Sequence, residues 1–328
     1  EKLGTYLSEE ATIIYSTKVE IALLKTHIDT FLEGNADYHR IADSLAEKIS
    51  CEDVYAEEEK TQHNIRALVN VINTKLPDEL KPYVHLGATS VDILDTAMAM
   101  RIRDAVRIVI LPLLIDVEDL LISLTETHAK TPQIGRTHGQ FAVPITVGFA
   151  FAEYTARLGK SIIQIEKLST DLRGQLSGAV GAYNATSLLV QDPIKLEKTF
   201  CSYVGLLPSE YSNQLVEPEY LLRLLVEINI AFGVVANLAD DLRHLQRSEI
   251  GELQESFGKK QVGSSTMPHK RNPWNSEHIK SLWKAFSPRI LTFFYDQISE
   301  HQRDLTNSAS QRFITEYLAG FSAAINRM

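Results

Sequence analysis

A short basic segment around residue 264 combines groups that could stabilise a developing negative charge. Residues 263–265 read Gly-Ser-Ser, Lys270 follows, and Asn272-Pro273 lies where a helix is predicted to begin. Backbone N–H groups of such a turn, a lysine ammonium and a helix N-terminus all favour an anion. The segment therefore predicts a site for a carboxylate or for an oxyanion formed during a reaction. A solvated basic loop is the alternative for a run of this composition.

A second chemical group lies in the sequence Gly-Arg-Thr-His-Gly-Gln at 135–140. The imidazole of His138 ionises near neutral pH, which suits it to donate a proton to a leaving group. A hydrogen-bonded structural histidine is the usual alternative for a single His. Thr137-His138 stands in a loop bounded by glycines rather than on a helix face, and this favours the chemical role.

Composition excludes several classes of protein. The 328 residues are 44% hydrophobic and 23% charged, so a large core is expected and disorder is not. The net charge of -9 argues against a dedicated nucleic-acid binder. The separated Cys51 and Cys201 fit neither a disulfide framework nor a zinc site, and no metal is expected. Reduced thiols predict a cytoplasmic location, and no apolar run of about 18 residues predicts a membrane span.

Helical periodicity dominates the elements that must position these groups, so an all-α bundle is predicted. Long helices are expected over residues 91–130, 144–173, 217–249 and 273–302. Thr89 or Ser90 is expected to cap the first of these, and Pro112 is expected to kink it without ending it. Asn272 is predicted as the N-cap of the fourth, with Pro273 at the first helical position.

Three loops separate these helices, at 84–90, 132–144 and 256–272. Residues 256–272, here called the flap, contain glycine and are long enough to act as a mobile lid. A domain boundary is predicted near Ser90, with an N-terminal helical domain over 1–90 and a central long-helix bundle over 91–328.

The length of the first long helix predicts an oligomer. A helix from about 90 to 127 spans roughly 57 Å, so the loops at its two ends cannot meet along one straight segment. If Thr89 and His138 serve one site, the chain must double back or different subunits must supply them. Long apolar helix faces in an acidic protein favour different subunits.

The sequence resembles a known family across nearly its whole length. Residues 263–273, GSSTMPHKRNP, resemble the signature of the fumarase/aspartase superfamily, whose members eliminate fumarate or a related group from succinyl-type substrates. Residues 85–92, 135–140 and 178–183 match further loops of that superfamily. Residues 303–312 and the early Gln-His-Asn at 62–64 resemble its adenylosuccinate lyase branch in particular.

The resemblance implies a role for each candidate residue. Ser264 is the general base and acts as an alkoxide, with Lys270 helping to lower the pKa of its hydroxyl. His138 is the general acid. His63 orients His138 or binds phosphate, and Glu277 either orients one of these histidines or caps its helix. The residues implied in substrate binding are His85, Thr89, Ser90, Thr137, Gln214, Lys270 and Asn272, with Arg303, Ser308 and Arg312 suited to a phosphate.

The resemblance further implies an all-α fold of the fumarase/aspartase type and a homotetramer whose active sites are shared between subunits. It implies a cofactor-free lyase that eliminates fumarate from adenylosuccinate, and from the related succinyl-carboxamide nucleotide, by anti elimination. A 3-carboxy-cis,cis-muconate cycloisomerase-like enzyme, another succinyl-adduct lyase and an inactive structural homologue are the alternatives.

Three departures from the branch bear on these expectations. Residues 4–8 lack its usual Arg beside the Tyr-Ser pair, and acidic Glu217 and Glu219 follow Gln214 where basic residues are usual. Both departures concern nucleotide binding. The chain also ends about where the central bundle of the family should end, so most of its C-terminal domain is expected to be missing from this sequence.

Overall fold

The computed structural model describes residues 2–258 and 261–328, and α-helices make up most of them. The all-α prediction is confirmed. The helices are α1 Gly4–Leu7, α2 Glu9–Phe31, α3 Ala36–Lys48, α4 Cys51–Thr61, α5 Asn64–Lys75, α6 Ser90–Ala105, α7 Leu111–Thr127, α8 Val147–Thr170, α9 Thr186–Leu189, α10 Pro193–Tyr203, α11 Pro218–Leu245, α12 Trp274–Phe286, α13 Ile290–Tyr295 and α14 Phe313–Ile325. Short 3-10 turns lie at Lys81–Tyr83, Ser287–Arg289 and Ser310–Arg312.

The first predicted long helix is continuous from α6 through α7. A π-helical turn at Val106–Ile110 joins the two. Pro112 lies two residues after this turn, and its ring cannot accommodate the ordinary α-helical carbonyl of Ile108. The widened turn lets the helix pass the proline, as the prediction of a helix that continues through Pro112 requires.

The structure corrects two sequence-based predictions. The loop predicted at 132–144 is an antiparallel β-hairpin, with β1 at Pro132–Thr137 and β2 at Gln140–Thr146. The helix predicted over 273–302 stops at Phe286, because Pro288 offers no N–H to continue the α-helical ladder and a 3-10 turn takes over. Two-residue strands β3 (Arg173–Gly174) and β4 (Leu207–Pro208) pair in parallel.

The chain divides into two compact units. The first contains the chain up to Val109, then Lys167–Arg223 and Tyr295–Ala309; the second contains Ile110–Glu166, Leu224–Phe294 and Ser310–Met328. The boundary predicted near Ser90 stays a prediction.

Each unit has its own apolar core. In the first unit α2 packs against α6, α3 and α10, and residues such as Leu24, Ile93 and Phe200 are fully buried there. In the second unit α14 packs against α12. The rings of Phe232 and Phe321 lie 5.2 Å apart, and the buried Tyr317 hydroxyl donates to Asn229 Oδ1 at 3.1 Å. These cores hold the helix ends from which the functional loops extend.

Helix α11 is the one described helix that is long and apolar enough to cross a membrane. By composition alone it meets that requirement, and 56% of its most apolar 18-residue window is buried inside the protein. A core helix meets the same requirement, so this feature is weak evidence for a membrane span.

His27 on α2 is a fully buried histidine outside the candidate site. Its Nδ1 lies 2.9 Å from the carbonyl oxygen of Tyr83 and therefore carries the proton. Its Nε2 has no hydrogen-bond partner among the described residues. Burial lowers the pKa of His27 from 6.5 to about 4, against the opposing effect of the Tyr83 carbonyl.

This buried histidine predicts a loss of stability in mild acid. The unfolded chain binds a proton at His27 below pH 6.5, whereas the folded chain does so only near pH 4. The free energy of unfolding should fall by about 2 kcal/mol between pH 7 and pH 5 from this group alone. Urea unfolding of the wild type and of His27→Asn, which keeps a donor for Tyr83 but does not titrate, measures it. Equal pH dependence in both proteins would contradict the assignment.

Candidate active site

The flap presents Ser264 at a turn whose backbone donates to the serine oxygen. The Oγ of Ser264 accepts from the N–H of Met267 at 3.2 Å and of Thr266 at 3.4 Å. Ser264 is half-buried, and residues 265–270 are exposed. Donors aimed at a hydroxyl oxygen favour its ionised form, so these N–H groups act in the direction that a serine base requires. Positions 259 and 260 of the predicted flap lie outside the described residues.

The base of the flap is closed by Asn272. Its Nδ2 donates to the carbonyl oxygen of Gly263 at 2.9 Å. The prediction of Asn272 as N-cap is wrong, because α12 begins at Trp274 after Pro273, and the Asn272 amide is turned back onto the flap. Its predicted contact with substrate stays a prediction.

The close approach of residues 263 and 270 at the base of the flap requires glycine at position 263. A Cβ at position 263 would overlap the carbonyl oxygen of Lys270, whereas a Cβ at Gly258 would meet nothing closer than 3.8 Å. The two glycines therefore form a matched pair within one flap.

We expect Gly263→Ala to lower kcat by about 100-fold, because a shift of roughly 1 Å at the base displaces Ser264. Gly258→Ala should stay within about threefold of the wild type, since its Cβ makes only ordinary contact. Steady-state kinetics of both variants measures the difference. Equal kinetics would show that the contact between residues 263 and 270 does not govern the flap.

His138 occupies the tip of the β1–β2 hairpin. Thr137 pairs with Gln140, so His138 and Gly139 form a two-residue turn, with φ of 54° and 75°. Positive φ at both central residues defines a type I′ turn, which matches the twist of the strands. A non-glycine residue in this region is strained unless its surroundings impose it, and such strain is frequent at functional sites. The imidazole is exposed, as is Thr137.

Glu252 binds strand β1 of this hairpin at two points, one near its open end and one near its tip. Its carboxylate accepts from Arg136 Nη2 and from Gln133 Nε2, the second at 3.0 Å. The hydrogen bond with Arg136 lowers the pKa of Glu252, so the pair is charged at neutral pH. The hairpin is thereby tied to the segment that leads into the flap.

In the first unit, His63 and Ser90 are brought together. His63 is the N-cap of α5, and its Nδ1 accepts from the N–H of Arg66 at 3.3 Å. That leaves the proton on Nε2, which lies 3.4 Å from the Oγ of Ser90. Thr89 is the N-cap of α6, as one of the two predicted caps.

His85 lies in the same loop with a left-handed backbone, φ 55°. Its Nδ1 is 2.7 Å from Oε1 of the buried Glu20. Burial acts to lower the pKa of His85, but the hydrogen bond and the charge of Glu20 outweigh it and the net shift is upward. The ring is therefore oriented by a buried carboxylate and favours its cationic form.

Asp92 is a positioning residue whose importance sequence reasoning missed. Its buried carboxylate accepts from the backbone N–H of Thr89 at 2.9 Å, of Ser177 at 3.2 Å and of Gly178 at 3.3 Å. It thus fixes the loop 85–90 against the turn at 178–183, two segments that the resemblance had marked separately. Burial raises the pKa of Asp92 to about 7 against these hydrogen bonds. Its position three residues after Thr89, the acidic position of a capping box, was the available signal.

Gln214 and Arg303 also meet in the first unit. Arg303 Nη1 donates to Gln214 Oε1 at 3.0 Å, and nearby Asp95 accepts from the N–H of Val216 at 3.0 Å. Burial raises the pKa of Asp95 to about 6, with the charge of Arg303 opposing. The acidic Glu217 accepts from the Oγ of Ser209 at 2.9 Å, so its carboxylate has a structural partner.

The remaining predicted residues are exposed, which leaves their side chains open to a ligand. They are Lys270 on the flap, Glu277 in the first turn of α12, Ser308 in a turn and Arg312 at the end of a 3-10 turn. The candidate residues divide between the two units. The second unit contains Thr137, His138, Ser264, Lys270, Asn272, Glu277 and Arg312. The first unit contains His63, His85, Thr89, Ser90, Gln214, Arg303 and Ser308.

Within residues 2–258 and 261–328, no group of three or more His, Cys, Asp or Glu side chains is arranged to hold a metal ion. The candidate site residues supply hydroxyl, imidazole, amide, ammonium, guanidinium and carboxylate groups. Such groups can move protons and bind carboxylates and phosphates.

Comparison with known proteins places this chain in a family. A family model described as Lyase matches residues 4–284. Adenylosuccinate lyase of Pyrococcus abyssi is 34% identical over 316 residues, covering 96% of this chain and 69% of the relative. Adenylosuccinate lyase of Thermotoga maritima is 31% identical over 308 residues, covering 94% and 69%.

Solved structures agree on the fold. The 3-carboxy-cis,cis-muconate lactonizing enzyme of Pseudomonas putida superposes with a TM-score of 0.84 at 25% identity, covering 99% of this chain and 73% of the other. A fumarate lyase from Mesorhizobium sp. BNC1 gives 0.83 at 20% identity with the same coverage.

The helical fold, the flap and the related proteins define an enzyme of the fumarase/aspartase class of lyases. Within that class the chain belongs to the adenylosuccinate lyase family.

Proposed function

We propose that this protein eliminates fumarate from adenylosuccinate, and from the related succinyl-carboxamide nucleotide, releasing the corresponding amine. The main support is the 34% identity to an adenylosuccinate lyase over 96% of this chain. In addition, Ser264 lies in a turn whose backbone N–H groups donate to its oxygen, and His138 lies at the tip of a hairpin. These are the two proton-transfer groups that an elimination needs.

The proposed reaction moves two protons and breaks one C–N bond. The Ser264 alkoxide takes the proton from the carbon beside a substrate carboxylate. The electron pair left on that carbon forms the double bond of fumarate as the C–N bond breaks on the opposite face. His138 gives its proton to the departing nitrogen. The reaction as written needs no cofactor.

Stabilisation of the charged intermediate is proposed to make the largest contribution to lowering the activation free energy. Removing the proton places two negative charges on one carboxyl group, as an aci-carboxylate. The Lys270 ammonium is proposed to face this group, an interaction worth several kcal/mol in a site closed to water. Lys270 also favours the ionised form of Ser264, because both lie on one flap.

Substrate binding is proposed to fall mainly to the first unit. Thr89, Ser90 and His85 offer donors for a carboxylate on a loop that Asp92 holds rigid. His63, hydrogen-bonded to Ser90, assists there. The guanidinium of Arg303, already paired with Gln214, is proposed to bind the nucleotide phosphate with Ser308 and Arg312.

A homotetramer with shared active sites is proposed on the evidence of exposed apolar side chains in the second unit. Long helices there leave large apolar residues in contact with solvent: Ile115, Leu120 and Ile122 on α7, Phe149 and Ile163 on α8, and Val226 and Ile230 on α11. Such exposure is typical of surfaces covered by a further chain. A cytoplasmic location is proposed with it, because both Cys51 and Cys201 are free thiols.

Purified protein tests the reaction directly. We expect adenylosuccinate to be consumed with the absorbance change of AMP formation and the release of one fumarate. Parallel assays offer the succinyl-carboxamide nucleotide and 3-carboxy-cis,cis-muconate. Turnover of the muconate alone would replace the proposed substrate class, and no turnover of any of them by intact tetramer would favour an inactive homologue.

A further inference from the structure

The helix that follows the flap lacks a cap of its own. Pro273 stands at the N-cap position of α12 with no side-chain hydrogen bond, and the Asn272 amide is committed to Gly263. The first N–H groups of a helix need acceptors, and the helix N-terminus carries partial positive charge. Another residue must therefore satisfy this end of α12.

Glu255, on the other side of the flap in sequence, satisfies it. Its Oε1 accepts from the N–H of Ser276 at 2.9 Å and from the Oγ of Ser276 at 2.6 Å. Its Oε2 accepts from the N–H of Asn275 at 3.2 Å. A carboxylate across a helix N-terminus gains from both the hydrogen bonds and the helix dipole.

Gln246, directly after α11, joins both ends of the same segment. Its Oε1 accepts from the N–H of Glu255 at 2.9 Å, and its Nε2 donates to the carbonyl oxygen of Arg271 at 3.2 Å. The Arg271 guanidinium lies 3.8 Å from the centre of the Phe257 ring. The two ends of the flap are thus bound to each other and to two helices, while its tip at 265–270 is exposed.

We propose that Glu255 is a positioning residue of the reaction: its carboxylate fixes the N-terminal end of the flap to α12, where the C-terminal end of the flap also joins, so that Ser264 and Lys270 are held in one geometry. This inference rests on the proposed function, since it concerns the residues of that flap. Glu255 acts through the flap and is not proposed to touch substrate.

The experiment compares Glu255→Gln with a cap variant elsewhere in the chain. Asn35 is the N-cap of α3, and its Oδ1 accepts from the N–H of Asp37 at 2.9 Å and of Tyr38 at 3.3 Å. Asn35→Ala therefore removes a cap of the same kind far from the flap in sequence. Both variants should lose similar thermal stability.

Only Glu255→Gln should affect the flap. We expect its kcat to fall about 10- to 100-fold with a smaller change in KM, because misplacement of reacting groups acts on the chemical step. Trypsin should cleave after Lys270 or Arg271 about ten times faster than in the wild type. Asn35→Ala should keep wild-type kcat and cleavage rate, and Glu255→Asp should recover part of both properties.

Two results would overturn the proposal: wild-type kcat and cleavage in Glu255→Gln, or equal changes in Asn35→Ala. Proteolysis needs no substrate, so it separates this inference from the proposed function. Faster cleavage in a protein whose wild type does not consume adenylosuccinate would leave the anchoring by Glu255 standing and remove the proposed substrate.

Discussion

Replacing Ser264 by alanine is expected to lower kcat for adenylosuccinate by about 1,000-fold or more, the range for loss of a general base. The physical reason lies in the turn around this residue. The N–H groups of Thr266 and Met267 donate to its oxygen, and Lys270 is on the same flap. Alanine leaves these donors in place but removes the atom that takes the proton. No other described residue is proposed to replace it.

Binding should survive this change. The groups proposed to hold the substrate, such as Thr89, Ser90 and Arg303, have hydrogen bonds of their own that do not involve Ser264. Calorimetry should therefore give a substrate Kd for Ser264→Ala within about threefold of the KM of the wild type. The comparison holds when substrate dissociates faster than it reacts, because KM then equals Kd. Ser44→Ala is the control, since the Oγ of Ser44 donates to the carbonyl oxygen of Ile41 within α3 and Ser44 is not a candidate site residue. Turnover of Ser264→Ala within tenfold of the wild type would exclude it as the base.

The second large effect concerns His138 and the sharing of sites. His138→Asn should lower kcat by about 100- to 10,000-fold, because the amide cannot give the departing nitrogen a proton. Asn-Gly is also the preferred pair for a type I′ turn, so the hairpin should keep its shape. Loss of activity in this variant is then a loss of chemistry and not of fold.

Mixing the two inactive proteins tests whether their residues meet across subunits. If His138 of one chain serves the Ser264 of another, tetramers refolded from equal amounts of Ser264→Ala and His138→Asn contain sites with both groups intact. About a quarter of wild-type activity is expected from random assembly.

Refolding each variant alone supplies the control, and both should stay inactive. A mixture no more active than its parents would show that both groups of a site come from one chain. A dimeric or hexameric protein would give the same expected quarter, because the fraction depends only on the two chains that supply the two groups.

The sequence predicted the structure correctly where a short-range pattern of residues allows a single local conformation. The apolar periodicity of 91–130 predicted a helix through Pro112, and the structure has that helix with a π-helical turn before the proline. The motif at 263–273 predicted the lyase class, which the family comparison confirms. The start of α6 was predicted to within one residue, with Thr89 or Ser90 as its cap, and the structure has Thr89.

Other features depended on contacts distant in sequence. Nothing local to Asn272 shows that its amide closes the flap on Gly263, or that Glu255 caps α12 in its place. Residues 132–144 were predicted as a loop but belong to a hairpin, because the strand pairing depends on a two-residue turn in which histidine adopts the conformation usual for glycine or asparagine.

The sequence by itself therefore determined the helical architecture, which follows from apolar periodicity, and the lyase class, which follows from the resemblance of its loop motifs to a known family. Only the tertiary structure decided which carboxylates hold the loops in place. Asp92, Glu252 and Glu255 accept hydrogen bonds from groups that lie 85, 116 and 21 positions away in the sequence. Hydrogen bonds of this kind require partners that folding alone brings within about 3 Å.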